Sequence, residues 1–257
     1  MINIAITAGG TSESMDGVRE ITNISTGSLG WHCLEAVLSK FNTPSVADFH
    51  VHYIHTRNAI IKGLAENDKK KVSFIPVTDA ESVFQAVDKL TKEVALDYFI
   101  HSMAISDFTF SYLVSHVKLA REIEALQHPD GFTAEEVRYL LENPRSRYST
   151  GEKISSDEDI LVGLKRTKKV IPLIKKNNPN TFLVGFKLLV NVDETELLHV
   201  ANELAEKNRC DLVVANEASA IGETNHQAIL VKGKKIIARA VGKSEIAKLI
   251  IDSMLKN

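Results

Sequence analysis

Residues 6–30 read ITAGGTSESMDGVREITNISTGSLG, and helical periodicity begins close to Trp31. The apolar run MINIAITA enters this stretch as a strand and leaves it through Gly9 and Gly10. The chain then crosses a polar loop and meets a second Gly-x-x-Gly step, Gly27 to Gly30. Glycine lets the backbone turn sharply and brings N–H groups close to an anion, and Ser25, Thr26 and Gly27 add donors where a helix dipole is positive. A plain strand-to-helix turn uses glycine too, and neither the G-x-G-x-x-G nor the G-K-[ST] spacing is present. The glycines alone leave a phosphate cradle and a simple turn both open.

Working outward, strand-like runs rich in Ile, Val, Phe and Tyr recur at Ile2 to Ala8, His50 to Thr56, Lys71 to Val77, Leu96 to Ala104, Thr181 to Leu189 and Leu212 to Ala218. Helical periods are read over about Leu29 to Ser39, Asp79 to Val94, Asp193 to Lys207 and Lys243 to Leu255. Thr78 with Glu81 and Asp193 with Glu196 have the spacing of reciprocal helix caps. This alternation predicts an α/β fold with a mostly parallel sheet, helices on both faces, and ligands beyond the carboxyl ends of the strands. Near the end of the chain, AILVKGKKIIARAV alternates around Lys232-Gly233-Lys234 and predicts a C-terminal β-hairpin. From about Phe108 the alternation stops. TAEEVRYLLENP reads as a helix and RSRYSTGEK as polar loop, so an inserted flap region is expected at about 108–156 of one domain spanning 1–257.

A chain of 257 residues with 44% hydrophobic content can bury a substantial core. A formal charge of −2 supplies no global field for nucleic acid or anionic lipid, so neither is an expected partner and any anion site must be local. Cys33 and Cys210 lie far apart without metal-ligand spacing and read as core, in keeping with a reducing compartment. The first residues enter a strand at once, and no apolar run is long enough for a bilayer. A cytoplasmic location without membrane association is therefore expected.

Taken whole, TAGGTSESMDGVREITNISTGSLG resembles the signature of the phosphopantothenoylcysteine synthetases (phosphopantothenate-cysteine ligases): T-A-G-G-T, an acidic residue, V-R, an asparagine before S-T-G, and a final glycine. Further elements follow in the family's order. HSMAISDF resembles its A-x-A-V-[AS]-D-[YF] element, where Asp107 by residue type alone could as well cap a helix. GEKISS resembles its flap, with Lys153 as the lysine that reaches nucleotide phosphates; FLVGFKLL and CDLVVANEAS resemble the strands carrying Phe186 and Asn216. LKRTKKVIPLIKK reads as a solvated basic helix face, and it occupies the family segment after the flap, which gives Lys165 and Lys168 a weak claim on the nucleotide.

The resemblance runs from Ala8 to about Ala218 and is to the standalone form. It implies a Rossmann-like ligase that joins 4′-phosphopantothenate to L-cysteine, with CTP or ATP as co-substrate, Mg²⁺ as cofactor and a homodimer as the assembly. Under it, Asn23 and Lys153 are the catalytic candidates. Gly9, Gly10, Thr11, Ser25, Thr26, Gly27, Ala104, Asp107 and Phe186 would bind nucleotide, and Arg19 and Asn216 would bind the acid substrate. Two other classes remain in view. A short-chain NAD(P)-dependent oxidoreductase needs Tyr-x-x-x-Lys, which YLVSH and YFIHS lack; a noncatalytic nucleotide-binding module would keep the glycine loop but need neither Asn23 nor Lys153.

Overall fold

The structure is a computed structural model that describes residues 1–43, 48–126, 131–149, 157–217 and 226–256. It divides into two compact units. The first comprises Met1–Thr11, Asn23–Ile105 and Lys168–Asn257, and the second Ser12–Thr22 and Ser106–Thr167. The segment expected as an inserted flap falls within the second of these.

The first unit is built on an eight-stranded sheet. Its strands are β1 (Ile2–Ala8), β4 (Phe49–Thr56), β5 (Val72–Val77), β6 (Tyr98–His101), β9 (Phe182–Leu189), β10 (Leu212–Glu217), β11 (Gln227–Lys232) and β12 (Lys235–Val241), in the order β12-β11-β10-β9-β6-β1-β4-β5. The pairs from β10 through β9, β6, β1 and β4 to β5 are parallel, while β11 and β12 add antiparallel at one edge. The predicted hairpin is there, closed by Gly233 (φ 56°) and Lys234 (φ 67°). Two successive positive φ values make the turn whose twist matches the strands it joins.

Helices α1 (Ser28–Phe41) and α8 (Lys243–Leu255) cover one face: Trp31, Leu34, Val37 and Phe41 pack with Ile246, Ile250 and Met254 over Ile4, Ile6 and Val184. The other face carries α3 (Ala80–Glu93), α6 (Ile171–Asn177) and α7 (Glu194–Asn208), whose Val83, Val87, Ile174, Leu197 and Ala201 pack on Ala5, Ile54, Phe99, Leu183 and Val213. The central strands β1, β9 and β10 are therefore covered on both faces, which is why they read as nearly continuous apolar runs. A short helix, α2 (Glu66–Lys69), precedes β5.

Two local readings are corrected. The cap of α3 is Asp79 with Ser82, which bond reciprocally; Thr78 lies one residue outside the helix, and Glu81 instead pairs with Lys168 at 3.2 Å. Asp193 does cap α7, accepting the Glu196 N–H at 2.8 Å, but the cap runs one way only, without the expected return bond to Glu196 among the described residues. The basic run LKRTKKVIPLIKK is not one solvated helix face. Lys165 and Arg166 end strand β8 (Ile160–Arg166), α6 starts only at Ile171, and Lys175 is buried against Asp211 at 2.7 Å.

In the second unit, β7 (Phe108–Ser115) pairs antiparallel with β8. Helices α4 (His116–Glu124) and α5 (Ala134–Glu142) form a small core with it through Val114, Leu119 and Leu140. Short strands β2 (Ser12–Ser14) and β3 (Glu20–Thr22) pair antiparallel in the same unit.

Candidate functional site

β1 and β6 are neighbours at the middle of the sheet, and the chain leaves them in opposite directions, toward β4 from β1 and toward β9 from β6. Such a switch point opens a crevice at the carboxyl ends of the strands. Gly9 and Gly10 follow β1, and Ala104 follows β6, so the opening motif and the HSMAISDF element meet there.

They are tied by backbone. Gly10 and Ala104 form an isolated parallel bridge. The Ala104 N–H donates to the Gly9 carbonyl at 2.9 Å, and the Ala104 carbonyl accepts the Thr11 N–H at 3.1 Å. That same carbonyl also accepts the side-chain amide of Asn23 at 3.1 Å, while the Asn23 N–H donates to the Thr11 carbonyl at 3.0 Å. Asn23 is thus oriented by both ends of its residue, and one of its two amide hydrogens remains for another acceptor.

The glycines are there because nothing larger fits. A Cβ on Gly10 would lie 2.1 Å from the Asn23 carbonyl oxygen, and one on Gly27 would lie 2.7 Å from the Gly9 nitrogen. Gly9 (φ 99°) and Gly27 (φ 64°) also hold backbone conformations that side chains resist. Gly27 is the N-cap of α1. Among the described residues no side chain caps this helix, and its first turn carries no acid, so the amino end presents N–H groups and positive dipole. The Gly27 N–H itself turns to Ser25 Oγ at 3.4 Å, and the Thr26 carbonyl accepts the Ile60 N–H at 2.9 Å. Eight predicted residues therefore converge: Gly9, Gly10, Thr11, Asn23, Ser25, Thr26, Gly27 and Ala104.

Phe186 and Asn216 stand farther along the same edge, on β9 and β10. Phe186 packs against the core under α1 and α8, and Asn216 is buried two residues beyond Val214 of that core. Arg19 and Asp107 lie in the second unit. Arg19 donates through Nε (2.8 Å) and Nη2 (2.6 Å) to one oxygen of Asp16, whose other oxygen accepts the N–H groups of Val18 and Arg19. The guanidinium fork, with these N–H groups, holds the Asp16 carboxyl below its usual range. The Asp107 carbonyl accepts the Thr167 N–H at 3.0 Å. Lys153 lies outside the described residues.

Several residues of the site edge had no role assigned from the sequence. Thr7 Oγ1 accepts the Met103 N–H at 3.2 Å and shares a hydrogen bond with His101 Nδ1 at 3.1 Å. Desolvation pushes the ring's pKa down to about 4, so it is neutral near pH 7. Met103 is core on the α3 side. Ser102 donates to the Thr7 carbonyl at 2.6 Å, and Gly30 packs so closely on Ala8 that an added Cβ would stand 2.7 Å from the alanine methyl. Thr7 and Gly30 belong to the quoted motif, but only the fold shows that Thr7 ties β1 to the end of β6 and that Gly30 lets α1 down onto β1. Both cysteines are free thiols, pushed up to about 12 by burial.

The chain matches the family described as DNA/pantothenate metabolism flavoprotein C-terminal domain, over residues 2–128 and 144–257. It is 26% identical over 255 residues to the Coenzyme A biosynthesis bifunctional protein CoaBC of Thermococcus kodakarensis, covering 98% of this chain and 51% of that protein. The chain spans about half the length of the curated relatives it matches. The crystal structure of the DNA/pantothenate metabolism flavoprotein from Streptococcus pneumoniae superposes with a TM-score of 0.79 and 31% identity, covering 100% of this chain and 99% of that one. A Cab2 mutant in complex with phosphopantothenate-cysteine shares the fold, with a TM-score of 0.65 at 17% identity, covering 99% of this chain and 85% of that one.

Proposed function

The chain belongs to the DNA/pantothenate metabolism flavoprotein C-terminal domain family, and from that premise we propose that it is a ligase joining 4′-phosphopantothenate to L-cysteine in coenzyme A biosynthesis. The observation that carries the proposal is the junction at Ala104, where one carbonyl gathers Thr11 and Asn23 beside the uncapped amino end of α1. The relatives are coenzyme A biosynthesis proteins, and the related Cab2 structure holds the product of this reaction.

In the proposed chemistry a substrate carboxylate oxygen attacks the α-phosphorus of the nucleoside triphosphate. A P–O bond forms, pyrophosphate leaves, and an acyl nucleotidylate results. The cysteine amine then attacks the acyl carbon. The C–N bond forms, the C–O bond to the nucleotide breaks, and the amine gives up a proton as the monophosphate leaves. The chain's part is to hold three anionic partners together and stabilise charge as it develops. The glycine backbone and α1 amino end take phosphate, and Asn23 donates its remaining amide hydrogen to the acyl group. Asp107 and Phe186 fix the nucleotide, Asn216 and Arg19 the acid substrate, and Lys153 meets the phosphates from the flap. Arg19 must exchange Asp16 for substrate to do so.

The cradle's donors are N–H and hydroxyl groups, which fit phosphates rather than a cation, and the described residues contain no cluster of three His, Cys, Asp or Glu for a metal. We assign Mg²⁺ to the phosphate oxygens, where it would offset their charge. A homodimer and a CTP preference with ATP also accepted belong to the same proposal. The test supplies 4′-phosphopantothenate, L-cysteine, Mg²⁺ and either CTP or ATP, and follows amide, monophosphate and pyrophosphate together. The three rising in equal amounts supports the ligase. A nucleotide that binds without turnover would favour the noncatalytic module instead.

A further inference from the structure

Thr56 ends β4 and is 2% exposed, yet its hydroxyl oxygen has no hydrogen-bond partner among the described residues. A buried hydroxyl left unpaired is destabilising, and valine would fill the same volume without it. Its surroundings point to a use. A Cβ built on Gly9 would stand 2.0 Å from Thr56 Oγ1, so the hydroxyl occupies the space that only a glycine leaves. Gly9 in turn abuts Gly27, the N-cap of α1, and Cβ atoms on either glycine would come within 3.1 Å of the Ala59 methyl. The loop is held in place by the Ala59 N–H on the Thr56 carbonyl at 3.1 Å and the Ile60 N–H on the Thr26 carbonyl at 2.9 Å. An orphaned donor therefore sits against the glycine turn beside an uncapped helix amino end.

We propose that Thr56 is a phosphate-binding residue, its hydroxyl donating to a phosphate oxygen seated between the Gly9 turn and the first turn of α1. The inference rests on the ligase reading for the identity of that phosphate, which belongs either to the nucleoside triphosphate or to the 4′-phosphate of the acid substrate. Thr56→Val removes the donor at constant shape, and Thr56→Ser keeps it.

The experiment compares the purified wild type with both variants in three measurements: thermal midpoint, KM for each substrate, and calorimetric binding of inorganic phosphate and pyrophosphate. In Thr56→Val the midpoint should hold or rise, because an unpaired hydroxyl is gone. Phosphate or pyrophosphate binding should weaken about tenfold, the value of one hydrogen bond to a charged group, and Thr56→Ser should restore it. A KM rise for the triphosphate alone assigns the hydroxyl to the nucleotide, a rise for 4′-phosphopantothenate alone to the acid substrate, and KM for cysteine should not move. Equal anion affinity in wild type and Thr56→Val, or none in the wild type, overturns the proposal even in an active ligase. Thr56-dependent anion binding in a protein without ligation would instead overturn the ligase reading and leave Thr56 as an anion donor.

Discussion

The side-chain amide of Asn23 donates to the main-chain carbonyl of Ala104 at 3.1 Å, across 81 positions of sequence. Ala104 also receives the Thr11 N–H, so the loop after β1 and the loop after β6 are fastened at one oxygen. Replacing Asn23 by Asp turns that donor into an acceptor facing an acceptor. Asn23→Asp should fold but lose about 1–3 kcal/mol of stability in urea titrations. Its amide formation should fall on the order of a hundredfold, as for loss of one donor to a developing oxyanion. Unchanged turnover in a folded variant would remove Asn23 from the chemistry.

Gly10→Ala drives a methyl to within 2.1 Å of the Asn23 carbonyl oxygen, whereas a methyl on Gly63 would meet nothing within 4 Å. The first clash is with backbone, which cannot rotate away, so Gly10→Ala should cost about 1–3 kcal/mol or more. Gly63→Ala should be neutral or stabilise by up to about 1 kcal/mol through the unfolded chain. Equal unfolding midpoints for the two variants would contradict the packing described around Gly10.

Much of this was legible in the sequence because the central strands are buried on both faces and the glycines have no alternative. β1 spans Ile2–Ala8 as read, and the hairpin turns at Gly233 and Lys234. Other features were hidden for physical reasons. FTFSYLVS, which becomes β7, begins with an alternation that signals a strand, but its partner β8 is 45 residues further on and ends in Leu164, Lys165 and Arg166, the start of the basic run read as a helix. Lys175 has the same local spacing as its solvated neighbours, and only tertiary packing sets it against Asp211. Thr56 looks like any β-branched strand residue until the fold lays it on Gly9. Local chemistry is written in the chain; distances between loops are not.

His101 should give the protein a measurable acid sensitivity. The unfolded ring takes up a proton near its ordinary value of 6.5, the folded one only near 4. Between those values the unfolded chain binds more protons, so the contribution is whole above about pH 6.5 and is lost as pH falls toward 4. His101→Gln, which keeps a hydrogen-bonding group beside Thr7, should narrow its stability gap from the wild type as pH drops from 7 to 4.5. Parallel stability curves over that range would contradict the low pKa.

The Lys175–Asp211 pair, 2.7 Å apart, should respond unequally to removal of either partner, because the side chains are 9% and 32% exposed. Asp211→Ala strands a buried ammonium and strips the Leu183 N–H of its acceptor, and should cost about 3 kcal/mol. Lys175→Met leaves a carboxylate that water and Leu183 still reach, at about half that loss. A larger loss in Lys175→Met than in Asp211→Ala would reverse the assignment of which charge depends on the other.

The measurement that bears most directly on the proposed ligase follows oxygen. With both carboxylate oxygens of 4′-phosphopantothenate labelled as ¹⁸O, attack at the α-phosphorus sends one labelled oxygen into the nucleoside monophosphate and keeps the other in the amide carbonyl. The account predicts that singly labelled monophosphate, formed in step with the amide. Label recovered in inorganic phosphate would contradict the acyl-nucleotidylate route, and absence of both amide and monophosphate would contradict the ligase itself.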